Sequence, residues 1–270
     1  MVDVTSQVDT SQPSIARAYD ALVGGKDNFE VDREAMREIL EVTPAAQQVV
    51  RSNRDWLIRV SRYLAGTAGM RQFLDVGAGL PTAENTHEAV QRVQPEAEVV
   101  YVDNDPAVLA YGRALLAEND HTHLAYGDLT QPQELLASPE VATALELSQP
   151  LVLMQCGTLH HVEPYEHAHA VMRDYIDALP SGSYVAVTHM HNPQDGSASA
   201  EIAAGFEEAF QRTMGTARYR TESEIASLLD GLDLVEPGLT YLHEWWPDGP
   251  QPDELHPVMY TLLGAVGRKP

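Results

Sequence analysis

Positive charge is what this chain has least of. Lys and Arg together number 17 against 40 Asp and Glu in 270 residues, a formal net charge of −23. Lysine is nearly absent and arginine is scattered, so no basic patch is available to neutralise a phosphate backbone. That excludes nucleic acid as a general partner and disfavours anionic membrane surfaces. Apolar runs are short, and none approaches the roughly 20 residues needed to span a bilayer. The opening MVDVTSQVDTSQP has neither the basic start nor the apolar centre of a signal peptide. The single cysteine, Cys156, excludes intramolecular disulfides and any multi-cysteine metal site. These absences predict a cytoplasmic protein with no membrane partner. What is present is globular: 44% hydrophobic and 21% charged residues.

Polar residues 1–12 read as a disordered N-terminal tail. Residues 14–24 read as a short helix, capped by Ser14 and stopped at Gly24-Gly25, with further helices near 30–41 and 44–65. The pattern then changes. Short apolar runs at 72–77, 98–103, 151–154 and 183–188, with a weaker one at 123–126, read as buried strands. Helical segments near 83–93, 106–117, 132–146 and 165–179 lie between them, which indicates a mostly parallel sheet covered on both faces. Residues 198–229 look helical. Leu239 to Trp246 and Val258 to Val266 look like a closing antiparallel pair joined without a helix.

Phe73-Leu74-Asp75-Val76-Gly77-Ala78-Gly79-Leu80-Pro81-Thr82 carries the most information. A strand running into Gly-x-Gly and then a helix lets a ligand approach the backbone. A dinucleotide is the first candidate, but Pro81 removes a backbone N–H from the loop, and Asp75 sets a negative charge where pyrophosphate would lie. The same charge suits a cation. S-adenosylmethionine bears a sulfonium and an ammonium and no phosphate. Asp103, ending the second strand, is placed to accept both ribose hydroxyls. Asp128, in Gly127-Asp128-Leu129, is placed to accept from an adenine amino group, with Leu129 against the ring. Each aspartate alone also fits a cap or turn; their joint order is harder to explain so.

DVGAG, VVYVDNDP, YGDL and GTLHHV resemble the class I S-adenosylmethionine-dependent methyltransferases. More narrowly, PSIARAYDALVGGKDNFEVDREA, FLDVGAGLPTAENTHE, YVDNDPAVLAYGRALLA, LDLVEPGLTYLHEWWP and GAVGRKP are similar to an actinobacterial S-adenosyl methyltransferase family long catalogued as a domain of unknown function. The likeness covers nearly all of residues 13–270. It implies an α/β, Rossmann-like fold: a seven-stranded, mostly parallel sheet with an antiparallel last strand and an N-terminal helical cap. It divides the chain into a cap at 13–66 and a cofactor-binding domain at 67–270, forming one compact unit. It implies cofactor roles for Asp75, Gly77, Gly79, Asp103, Asn104, Asp128 and Leu129, and it supplies no acceptor.

Gly24-Gly25-Lys26-Asp27-Asn28-Phe29 is either a helix–helix turn or a lid over the methionine end of the cofactor. In the lid reading Gly25 and Asn28 contact the cofactor, Lys26 binds its carboxylate, and Tyr19 covers the sulfonium with its ring. Gln155, just after the fourth strand, faces the methionine portion or the acceptor. His160 and His161 follow that strand; His189 and His191 follow the fifth. Both pairs should reach the carboxyl edge of the sheet. His160, His161 and His189 are the candidates for a general base or for positioning the acceptor, with packing as the rival role. No metal is expected, because adjacent histidines rarely face one ion and the local sequence offers no supporting carboxylate. The function expected is in-line methyl transfer to an O or N atom of a small molecule, in secondary metabolism. A non-catalytic S-adenosylmethionine-binding regulator and an NAD(P)-dependent oxidoreductase are the alternatives.

Overall fold

The computed structural model describes residues 8–81, 84–115, 119–247, 249 and 254–270. Three helices precede the first strand: α1 (Ile15–Val23), α2 (Glu30–Val42) and α3 (Ala46–Gly66). The Ser14 hydroxyl accepts from the Arg17 N–H at the start of α1, and Gly24 ends that helix in the left-handed region. Strands and helices then alternate as β1 (Gln72–Val76), α4 (Thr86–Gln91), β2 (Glu98–Asp103), α5 (Pro106–Leu115), β3 (Thr122–Tyr126), α6 (Pro132–Leu136), α7 (Pro139–Ala144), β4 (Val152–Cys156), α8 (Tyr165–Ala178) and β5 (Tyr184–Met190). The chain closes with α9 (Ala198–Met214), α10 (Glu222–Ser227), β6 (Asp233–Leu234), β7 (Thr240–Tyr241) and β8 (Leu262–Arg268).

Seven strands follow one another in the order β3-β2-β1-β4-β5-β8-β6, and β7 pairs with β8 off that path. The first five are parallel, and β8 runs antiparallel to β5 from Tyr184↔Arg268 to Met190↔Leu262. The parallel body and antiparallel β8 are as expected, but the sheet has eight strands among the described residues where seven were expected, because the short β6 and β7 both pair with β8. The sheet order reverses between β1 and β4, so the loops at their carboxyl ends diverge and leave a crevice. Continuous burial along β1, β2 and β4 reflects cover on both faces. On one face, Trp56 and Leu64 of α3 and Ile39 of α2 share a core with Phe73, Val99 and Val152 of the sheet, so the three N-terminal helices and the strands bury one another. On the other, Leu74, Val100 and Leu153 pack with Met172 and Tyr175 of α8.

Several boundaries differ from expectation. The helix expected at 132–146 is two short ones, because Pro139 cannot continue the first and instead opens the second. The helix expected at 198–229 stops at Gly215, which is left-handed at φ +69°, and resumes at Glu222. The strand expected at Leu239–Trp246 keeps only Thr240–Tyr241. Leu242–Glu244 coils into a 3₁₀ turn that sends Trp245 into the core, where its ring meets Trp56 edge-on at 5.8 Å and its Nε1 donates to the Gly264 carbonyl at 2.9 Å. Of the tail expected at 1–12, residues 1–7 lie outside the described residues, as do Thr82 and Ala83 of the glycine loop and helix start and 116–117 of the helix expected at 106–117. Asp9 and Gln12 are not loose: both carbonyls accept from Arg17 Nη2, at 3.1 and 2.6 Å.

Candidate active site

A cavity of about 590 Å³ opens at the crevice between β1 and β4, within the size range of small-molecule sites. Its floor is the glycine loop after β1. Gly77 is left-handed at φ +75°, and a Cβ there would lie 2.3 Å from Thr158 Cγ2, so only glycine lets the β1 and β4 loops pass this closely. The Gly77 and Ala78 N–H groups are spent on the Val102 carbonyl. The Gly79 N–H donates to Asp103 Oδ2 at 2.9 Å, while the Asp105 N–H donates to Oδ1 at 2.9 Å. Asp103 therefore ties the ends of β1 and β2 together as well as lining the cavity. Asn104 and Leu129 line the same cavity. Asp128 does too, its Oδ1 accepting from the Thr130 N–H and hydroxyl at 2.8 Å each, the Asx turn that aims it.

The charge of this lining is acidic. Asp9, Asp75, Asp103, Asp105 and Asp128 face Arg17 and Arg54. Asp75 is 4% exposed, and Thr86 Oγ1 donates to it at 2.7 Å. Burial pushes its carboxyl up to about 6, with the charge of Asp103 adding to the rise and Arg54 opposing it. Burial likewise raises Asp103. A cation between them would relieve the strain that a pyrophosphate would aggravate. Cys156 also lines the cavity, and burial holds its thiol protonated, so it is no nucleophile.

Four expected cofactor residues sit elsewhere. The Gly24–Asn28 turn closes on Asp20 and not on the cavity. Asp20 Oδ2 accepts from the Asp27 N–H at 2.9 Å and Asn28 Nδ2 at 2.7 Å. Gly25 is needed for this approach, since a Cβ on it would stand 1.9 Å from Asp20 Oδ1. Lys26 is exposed, and neither it, Gly25 nor Asn28 lines the cavity. Gln155 is fully buried behind the wall. Its Oε1 accepts from Thr158 Oγ1 at 2.7 Å, so it orients Thr158 and does not reach the cavity. Tyr19 does line the cavity, with its hydroxyl 3.4 Å from the Val50 carbonyl and 3.5 Å from Asn53 Nδ2.

The candidate histidines part company. His161 lines the cavity; burial pushes its imidazole down to about 4, and its Nδ1 has no hydrogen-bond partner. His160 lies against it with ring centroids 4.1 Å apart and the rings tilted by 45°, is 2% exposed, also has an unpartnered Nδ1, and is held well below its usual range by burial. His189 is removed from the site. Its Nδ1–H donates to the Met190 carbonyl at 2.8 Å and its Nε2 accepts from Arg220 Nη1 at 2.6 Å, which leaves neither nitrogen for an acceptor. The same guanidinium donates to the Leu159 and Val162 carbonyls at 2.9 and 2.7 Å, and so clamps the 3₁₀ turn Leu159–His161. Arg220 was not signalled by any motif.

Arg54 was missed for the same reason. It lies on α3, far in sequence from the glycine loop, and its Nη2 donates to the Glu84 carbonyl while it lines the cavity beside Asp75. A regularly placed arginine on an amphipathic helix carries no mark of its target. Ser14 and Arg17 were likewise unmarked. Among the described residues no group of three or more His, Cys, Asp or Glu side chains is placed to hold a metal ion, and no helix is long and apolar enough to cross a membrane.

A parallel sheet reversed at β1/β4, an antiparallel strand β8 beyond β5 and an acidic cavity on the glycine loop define a class I methyltransferase. The chain belongs to the S-adenosyl methyltransferase family, which it matches over residues 2–270. It is accordingly an enzyme that uses S-adenosylmethionine for methylation, which sets aside both the nicotinamide and the non-catalytic alternatives. A protein from Thermobifida fusca YX assigned to the methyltransferases is similar over 100% of this chain and 99% of its own, at 40% identity and a TM-score of 0.92. A DUF574 family protein from Streptomyces avermitilis MA-4680 is 37% identical over 98% of this chain and 100% of its own, with a TM-score of 0.90. An O-methyltransferase family protein from Burkholderia thailandensis shares the fold at 13% identity and a TM-score of 0.54, over 88% of this chain and 61% of its own. No curated protein matches the chain significantly.

Proposed function

We propose that the chain methylates an O or N atom of a small-molecule acceptor, with the cofactor in the 590 Å³ cavity and the acceptor beside His161. The observation that carries this is the roof. Val8, Asp9, Gln12 to Arg17 and Tyr19 line the cavity together with the glycine loop, so an N-terminal segment covers part of a site that a polymer would need open. The acidic chain argues the same way against a polyanionic substrate. We assign Asp103 to the ribose hydroxyls, Asp128 and Leu129 to the adenine, Asn104 to the same rim, and Asp75 to the positive end of the methionine portion. Gly77 and Gly79 give room for it. Arg54 takes the carboxylate, in the place expected of Lys26.

Bound there, S-adenosylmethionine supplies a methyl group on a sulfonium, and the C–S electron pair stays on sulfur as the methyl leaves. The protein's share is to hold the acceptor in line, worth about 7–11 kcal/mol of the barrier, and to receive the acceptor's proton. His161, neutral at physiological pH, lines the cavity and is the group placed to take that proton. His160 and Arg220 keep its turn in place from behind. The cap at 13–66 and core at 67–270 then act as one unit, in the cytoplasm and in secondary metabolism.

The test is S-adenosylhomocysteine production with pools of phenols, alcohols and amines, set beside tRNA and duplex DNA. Turnover with a small-molecule pool supports the reading. Turnover confined to nucleic acid would sink it.

A further inference from the structure

Beside the cofactor cavity lies a second one of about 70 Å³, buried between α1, α2, α3 and α9 and the sheet. The two meet at Ile15, Tyr19, Asn53, Gly157 and His161, which line both. Beyond that mouth the second cavity is walled by such side chains as Leu22, Met36, Ile39, Val49 and Phe206, and no Asp, Glu, Lys or Arg lines it. Tyr19, Asn53 and His161 put polar atoms at the mouth, and His160 and Tyr219 add theirs to the wall. His160 is buried and His161 half-buried, and each has a buried Nδ1 without a hydrogen-bond partner. An apolar recess that joins a reaction site and has Tyr19, Asn53 and His161 at its mouth is arranged for a ligand whose body is apolar and whose polar atom sits at that mouth.

Resting on the methyl-transfer reading above, we infer that this recess is the acceptor subsite and that its occupant is a compact, uncharged alcohol or phenol, seated with its hydroxyl at Tyr19 and His161. Size limits the buried body to a branched alkyl stub or a single small ring. Charge limits its chemistry. An alkylammonium would be buried with no carboxylate to meet it, and a carboxylate with no cation, so a neutral hydroxyl is the nucleophile that enters without that penalty. The hydroxyl oxygen's lone pair makes the O–CH₃ bond, and its proton passes to the His161 imidazole.

The test measures binding, not turnover. The full chain is saturated with S-adenosylhomocysteine, whose own affinity is read by calorimetry, and then titrated with isobutanol, phenol, benzoate and benzylammonium. Isobutanol or phenol should bind saturably, at least tenfold tighter than either charged probe. Ala18→Leu and, independently, Ala46→Leu fill the recess from α1 and α3 without lining the cofactor cavity. Each should weaken the neutral probe at least tenfold and leave S-adenosylhomocysteine within twofold, and the second keeps the test alive should the first not fold. Charged probes binding as well as neutral ones, or neutral binding undiminished in both variants, overturns the assignment. So does S-adenosylhomocysteine binding with no probe binding at all. If S-adenosylhomocysteine itself does not bind, the cofactor reading falls and takes this one with it.

Discussion

The carboxyl ends of β1 and β2 and those of β4 and β5 are built from different material and hold their polar groups in opposite ways. At β1/β2 the acids Asp75 and Asp103 are buried at the edge of a cavity and held as carboxylates only at a cost, which burial sets. At β4/β5 the polar side chains largely satisfy one another. His189 has both nitrogens engaged, and Arg220 spends its donors on two carbonyls and that imidazole. The first region awaits a ligand; the second, apart from His160, His161 and the unpartnered Nε2 of Gln155, is a finished bracket. The same residue type, histidine, falls on both sides of that line within one short 3₁₀ turn and the strand next to it.

The sharpest probe of the difference is a pair of histidine variants. His161→Ala should lower turnover about 10²–10⁴-fold, the usual span for a lost proton acceptor, with the cofactor dissociation constant within twofold. His189→Gln should leave turnover near wild type. If steady-state kinetics rank them the other way, the contrast is drawn in the wrong place. Removing the bracket comes next. Arg220→Met leaves the Val162 carbonyl and the His189 imidazole without a donor, the Leu159 carbonyl keeping the Val162 N–H, and should cost about 3 kcal/mol of stability in denaturant titration. A loss of cofactor affinity with stability intact would contradict it.

Asp103→Ala should weaken S-adenosylmethionine by about 1–3 kcal/mol by calorimetry. Because Asp103 also holds the Gly79 N–H, Asp103→Asn should recover part of the loss. The pH dependence is smaller. Asp75 titrates at about 6 in the fold against 3.8 unperturbed, so the folded state binds the extra proton between those values. Stability of the ligand-free protein therefore falls as pH rises through that window, while affinity for a cationic cofactor rises, by roughly tenfold from pH 5 to pH 7. Asp75→Asn should flatten both curves. Least of all, Lys26→Ala should change cofactor affinity by less than about twofold, as expected of an exposed side chain outside the cavity.

What was readable beforehand follows from how local each signal is. Strand, glycine turn and terminal aspartate are contiguous in Asp75–Gly79, and the same holds for Asp103-Asn104 and Asp128-Leu129. All of these line the cavity. The parallel sheet was legible because continuous apolar runs alternate with helical ones. Arg54 and Arg220 were invisible, because their targets are tens of residues away and surface-like arginines leave no pattern. Lys26 misled for the opposite reason. A lone cation in a Gly-Gly turn looks functional, yet the turn is folded about a buried Asp20 that sequence spacing does not announce. His189 misled because whether an imidazole is free depends on a guanidinium delivered from beyond α9.

Arg17 ties the start of the described chain to the helical cap. Its guanidinium meets Asp32 at 2.9 Å and carries the carbonyls of Asp9 and Gln12, both of which border the cofactor cavity. The peptide from Asp9 to Gln12 is thus hung from a hook inside the helical cap, at the border of the cofactor cavity. An affinity tag fused ahead of Val8 would load that hook directly, so assays on tagged and cleaved preparations should disagree first in the off-rate of S-adenosylhomocysteine.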